Sequence, residues 1–136
     1  MSTPRYHQHT GGVYHLQYHF VWCPKYRKPV LVGPVETALR QILDSKARAL
    51  GIQIEAVEVM PDHVHIFVNA PPTLAPQQIA NQFKGVTSRL LRQQFAHLRT
   101  RLPSLWSRSY YVGSAGLVTE ETVKRYIAEQ KTRSEK

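Results

Sequence analysis

The heptapeptide HVHIFVN, from His63 to Asn69, sets the tightest limit on the fold. In an extended chain Val64, Ile66 and Val68 fall on one side, while His63 and His65 fall on the other. A strand of this kind buries its aliphatic side only, so it belongs to a sheet with one packed face and one open face. A second segment, YHLQYHFVWC from Tyr14 to Cys23, alternates as strictly. Tyr14, Leu16, Tyr18, Phe20 and Trp22 share one side, and His15, Gln17, His19 and Val21 the other. Which of those sides joins the face of His63 and His65 does not follow from the alternation.

The remaining elements are read from stop and start signals. The basic stretch from Pro24 to Pro29 ends the first strand, and Pro34 opens a helix striped by Val35, Leu39, Ile42, Leu43 and Leu50 and closed by Gly51. Ile52 to Met60 is expected as a second strand, with Pro61-Asp62 turning the chain into a third, His63 to Asn69. Asp62 itself reads first as a turn residue bonding its own backbone. After the link APPTLAP a second helix starts near Pro76, with Ile79, Phe83, Val86, Leu90 and Leu91 inward and Lys84, Arg89 and Arg92 mostly outward. Trp106 to Val112 is the expected fourth strand, residues 113–118 a glycine-bearing hinge, and Thr119 the cap of a last helix over 119–133.

Strand, helix, strand, strand, helix, strand is the split βαβ order of the ferredoxin-like, RRM-like fold. The expected class is therefore α+β: a four-stranded antiparallel sheet with two helices on one face, plus a C-terminal helix left over. All 136 residues read as one domain, with residues 1–12 a flexible lead-in.

Composition narrows the partners. Eighteen Lys and Arg against nine Asp and Glu leave a formal charge of +9, which favours a polyanion and nucleic acid first. No apolar run approaches the roughly 20 residues of a spanning helix, and the start carries no apolar signal core, so a cytoplasmic protein without a membrane partner is expected. The single cysteine, Cys23, excludes an internal disulfide and a cysteine-based zinc site, leaving His and oxygen donors for any metal.

His63 and His65, side by side on a strand, can share a divalent ion through their imidazole lone pairs. On the last helix Tyr126 and Gln130 stand one turn apart and move as a unit, beside Val123 and Ile127. Spacing alone leaves two ordinary strand histidines and a packing tyrosine as open alternatives.

Five segments taken together carry a resemblance: VMPDHVHIFV, VWCPKYRKPVL, FKGVTSRLLR, WSRSYYVGSAG and VKRYIAEQ. Taken along the chain, in a match that runs from about Tyr14 to Gln130, they resemble the TnpA-type single-tyrosine HUH transposases, which move insertion sequences as single strands. The resemblance implies that Tyr126 is the nucleophile and that His63, His65 and Gln130 hold the metal, Mg²⁺ by family expectation, although imidazole donors suit Mn²⁺ better. It also implies cleavage and rejoining through a 5′-phosphotyrosine, recognition of end hairpins in single-stranded DNA, and a homodimer whose tyrosine helices complete each other's sites. Lys25, Arg27, Lys28, Lys84, Arg89 and Arg92 are the candidate DNA contacts, with plain surface charge the alternative for each.

Three rivals remain in view. An RRM-like binding module would stack bases on Tyr14, Tyr18, Phe20 and Trp22. A histidine-triad hydrolase needs a third histidine where this chain has Phe67. An HUH nuclease with a replication or domesticated role shares the chemistry and differs only in its job.

Overall fold

The computed structural model describes residues 7–9, 12–14, 16–114 and 120–134. His15, the hinge beyond Ser114 and the Thr119 cap lie outside the described residues. Strands β1 (His7–His9) and β2 (Gly12–Tyr14) form a short antiparallel pair. The loose lead-in expected over 1–12 thus contains a strand, and Tyr14 pairs with His7 instead of opening the main sheet.

The main sheet consists of β3 (Gln17–Trp22), β4 (Gln53–Met60), β5 (His63–Asn69) and β6 (Tyr111–Ser114), in the order β4-β5-β3-β6. Every neighbouring pair is antiparallel, and the two central strands are the first and third of the four, as the split βαβ order requires. Helices α1 (Pro34–Leu50) and α2 (Pro76–Gln94) join the strands. Gly51 closes α1 at φ 71°, its N–H reaching the carbonyls of Ala47 and Arg48, a left-handed cap that glycine adopts without strain. At the start of α2 the Gln78 side chain reaches back 2.7 Å to accept from the Ala75 N–H.

One hydrophobic core lies between the helices and the sheet. Val35, Leu39 and Leu43 of α1 and Ile79, Phe83 and Leu91 of α2 meet Phe20, Trp22, Val64, Ile66 and Val68. Ile42, Leu50, Val86 and Leu90 are only half-buried at the margin of the helix layer. Because Phe20 and Trp22 are fully buried there, the aromatic side of β3 is core, and the base-stacking RRM reading loses its surface. Cys23 is buried outside that cluster, and burial pushes its thiol up to about 12, so it stays uncharged.

The fourth strand differs from expectation at both ends. Trp106 makes a single bridge to Pro24 and packs edge-on against Trp22, its indole N–H donating to Thr87 at 2.9 Å. Regular pairing begins only at Tyr111 and runs through Gly113 and Ser114, which pair with His19 and Tyr18. In the intervening segment the Lys84 ammonium occupies the carbonyls of Ser107, Arg108 and Ser109 at 2.8, 3.3 and 3.0 Å. Those carbonyls serve a side chain in place of a ladder, and the first two residues of the expected hinge, Gly113 and Ser114, are sheet. A short helix, α3 (Ala96–Thr100), follows α2 and buries Leu98. The last helix, α4 (Glu120–Ser134), follows β6, and its main neighbour is the 3-10 turn Lys25–Arg27.

Candidate active site

The β3–β5 register decides what stands on the open face. Val21 lies opposite His65 and His19 opposite Phe67, so all four side chains project together, away from the helices. His19, whose side was open from sequence, therefore belongs to the face of the histidine pair. Its Nε2 is 3.0 Å from Nδ1 of His65, and its ring lies 4.1 Å from that of Phe67 at 12°, nearly parallel. Burial, then the neighbouring His65, push the His19 imidazolium down to about 4, against a weaker opposing pull from Glu58. Burial and His63 lower His65 as well. Near neutral pH both rings are therefore uncharged and keep a lone pair.

His63 is held from the turn. Its Nδ1 donates to Asp62 at 2.8 Å, while the other carboxylate oxygen takes Nε of Arg27 at 3.0 Å. Asp62 thus does more than shape a turn: with Nδ1 protonated toward the carboxylate, His63 offers Nε2 outward. Arg27 in turn donates to the carbonyl of Ile127 in α4 at 3.4 Å. To make this bridge Tyr26 and Arg27 adopt φ of 59° and 52°, a left-handed turn unusual outside glycine. One guanidinium thereby ties the tyrosine-bearing helix to the histidine strand.

On α4, Tyr126 and Gln130 share a face as their spacing required, and Ser109 receives both. The Ser109 hydroxyl donates to Gln130 Oε1 at 2.5 Å and lies 3.2 Å from the Tyr126 hydroxyl. Gln130 is almost fully buried, and its Nε2 has no hydrogen-bond partner among the described residues. The Tyr126 ring sits 6.1 Å from Tyr111, which pairs with Val21 in the row that contains His65. One cross-strand row thus runs from Tyr111, beside Tyr126, through Val21 to His65.

His63 and His65 are in contact, ring centres 4.9 Å apart. Among the described residues no three His, Cys, Asp or Glu side chains converge into a metal-holding group. The pair does suit a shared cation, because each ring has its Nδ1 taken by a partner and its Nε2 left over. Gln130 Oε1 accepts its hydrogen bond from Ser109.

The six basic candidates divide. Lys84 is turned inward, opposite to expectation: three carbonyls hold its ammonium, Tyr110 lies 5.8 Å away, and burial lowers it to about 8. Arg27 is engaged as described, and Arg92 reaches toward the carbonyls of Pro103 and Leu102 at 3.4 and 3.5 Å. Lys25 is half-buried beside Tyr26, whereas Lys28 and Arg89 are exposed. Sequence reasoning missed Ser109, left the face of His19 open, and ranked support of the metal or a water by Asp62 behind its turn role. An aspartate directly before the His-x-His pair was the one available signal.

The sequence profile described as "Transposase IS200 like" matches residues 12–130, and the chain belongs to this IS200-like transposase family. It is 37% identical over 122 residues to the ISDra2 transposase TnpA of Deinococcus radiodurans, covering 88% of this chain and 87% of that one. Identity to the transposase for insertion sequence element IS200 of Salmonella typhimurium is 30% over 116 residues, covering 84% and 76%. A solved D. radiodurans structure assigned to the transposases superposes with a TM-score of 0.83 at 35% identity, covering 96% of this chain and 98% of that one. A REP-associated tyrosine transposase bound to a REP hairpin shares the fold at a TM-score of 0.55 and 14% identity, over 84% and 65% of the chains. No helix among the described residues is long and apolar enough to cross a membrane.

The geometry of Lys84 separates a structural from a DNA-binding role. Lys84→Met strips the donor from three carbonyls and should lower unfolding free energy by about 1–3 kcal/mol in urea titration. A lysine that served only DNA would leave the unfolding midpoint unchanged.

Proposed function

We propose that this transposase cleaves and rejoins single-stranded DNA at insertion-sequence ends, with Tyr126 as nucleophile and His63, His65 and Gln130 as metal ligands. The observation that carries the reading is the link from α4 through Arg27 and Asp62 to His63, which joins the tyrosine helix to the histidine pair. End hairpins are proposed as the recognised feature, since the REP-associated relative was solved on a hairpin. Lys25, Lys28 and Arg89 are the basic side chains best placed to meet the DNA backbone.

Tyr126 Oη attacks the scissile phosphorus, forming a P–O bond to tyrosine while the bond to the 3′ oxygen breaks. The phenol gives up one proton and the leaving 3′ oxygen gains one, so the step is neutral in protons. The products are a 5′-phosphotyrosine and a 3′-hydroxyl. Because the phosphodiester energy is kept in the covalent link, a second 3′-hydroxyl reverses the step and joins strands without a nucleotide cofactor.

A tyrosine near its ordinary pKa of about 10 is a weak nucleophile. A divalent cation, Mg²⁺ or Mn²⁺, supplies positive charge against the phosphate when bound. Asp62 keeps His63 in the tautomer that points Nε2 outward. For His65 to do the same, its Nδ1–H donates to His19 Nε2, which puts the His19 proton on Nδ1. Ser109 holds the Tyr126 hydroxyl and the Gln130 oxygen together, and release of that contact would free the Gln130 oxygen fully for the metal. Exchange of α4 within a homodimer is the movement proposed to do this.

Incubation with Mn²⁺ and labelled hairpin-bearing single-stranded DNA should yield a denaturation-resistant adduct, lost completely in Tyr126→Phe. An adduct that persists in that variant removes Tyr126 from the role. Mixing Tyr126→Phe with His63→Ala subunits should restore part of the cleavage, and verified heterodimers that stay inactive would exclude shared sites. Asp62→Asn should weaken Mn²⁺ binding about 10–100-fold by electron paramagnetic resonance titration. Unchanged affinity would leave Asp62 outside the metal's support.

A further inference from the structure

We propose that Phe67, stacked on His19, is a shelf on which one unpaired base of the DNA strand stacks beside the histidine pair. The inference rests on the single-stranded DNA reading above and adds a binding site to it.

Phe67 is the one aromatic among the exposed large hydrophobics of the described residues, at 37%, on a strand whose neighbouring Ile66 and Val68 are fully buried. The alternation of β5 gives it no place in the core. One side of its ring is covered by His19, nearly parallel at 4.1 Å, and stacking on that flat support fixes the ring plane. Its cross-strand neighbour on β4 is Ala56, and beyond His19 the row ends at Gly113. Small residues on both flanks leave room above the row for a planar group.

A hollow of about 270 Å³ opens at this point, lined by Gln17, Glu55, Ala56, Phe67 and Val68. It lies just below the roughly 300–1,000 Å³ of pockets that take drug-sized ligands, which suits one base. The Gln17 amide supplies both a donor and an acceptor at its edge. Phe67 is two residues beyond His65 on the same face, about 6.8 Å along the strand, the scale of one nucleotide step in an extended strand. A phosphate held at the histidines thus brings a neighbouring base over the ring. Stacking is tolerant of base identity, since every base has a π-face, so the shelf positions the strand and leaves sequence reading to other contacts.

The competing role for Phe67 is to keep His19 dry, which any apolar side chain of similar bulk would do. Phe67→Leu keeps the cover and removes the π-face; Phe67→Trp enlarges it. Binding is read by fluorescence anisotropy with a short single-stranded oligothymidylate and with an abasic deoxyribose-phosphate strand of equal length. Phe67→Leu should bind oligothymidylate about tenfold more weakly than wild type and the abasic strand equally well. Phe67→Trp should restore the base-dependent affinity, with its fluorescence quenched on binding the thymidylate strand. Wild-type affinity for oligothymidylate in Phe67→Leu, or an equal loss on both strands, overturns the shelf. If wild type still forms the Tyr126 adduct in that case, the transposition chemistry stands and the shelf alone falls. A wild type that binds neither strand overturns both.

Discussion

The antiparallel pairing of β3 with β5 is the constraint on which the other features depend. Both strands are central, and their register sets Phe20 against Ile66 and Trp22 against Val64 on the helix side. The same register sets Val21 against His65 and His19 against Phe67 on the other side. A slip of one residue would carry the histidines into the core and the aliphatic residues into water, at the cost of the whole apolar contact with α1 and α2. Core packing is therefore also what aims the histidines. No polar interaction on the open face has to hold the strands in place.

On that face the polar groups form a second layer of order. Asp62 stands between His63 and Arg27, Arg27 between Asp62 and α4, and Ser109 beneath both Tyr126 and Gln130. Lys84 supports the segment that presents Ser109 by occupying three of its carbonyls. Each link is a single hydrogen bond or ion pair, partly exposed, and weak beside the core. Besides these links α4 buries Val123 and Gln130, so its hold on the sheet is smaller than that of the core helices.

Particular residues show how far a linear reading reaches. The split βαβ order, the two helices and the pairing of β4 with β5 were all visible, because alternation and helical stripes are local properties of the chain. The start of the fourth strand was not. Trp106 to Ser109 looks extended, yet Lys84 from α2 takes the carbonyls of Ser107, Arg108 and Ser109. His63, His65, Tyr126 and Gln130 are singled out by motif, while Ser109 carries no local signature and owes its place to a contact across the fold. Lys84 was misjudged for the same reason, since helix periodicity cannot foresee a distant loop that needs a cation.

By itself the sequence determined which residues share a face within each strand or helix, because a period of two or of 3.6 residues is set by backbone geometry alone. It also determined the basic charge and the family resemblance. Only the tertiary structure decided which faces meet: that His19 stands beside His65, that Phe67 is left exposed over it, and that Arg27 joins the histidine strand to α4. Those outcomes depend on strand register and on side chains distant in sequence, quantities fixed by burying one face of the sheet and not by any local stretch of chain.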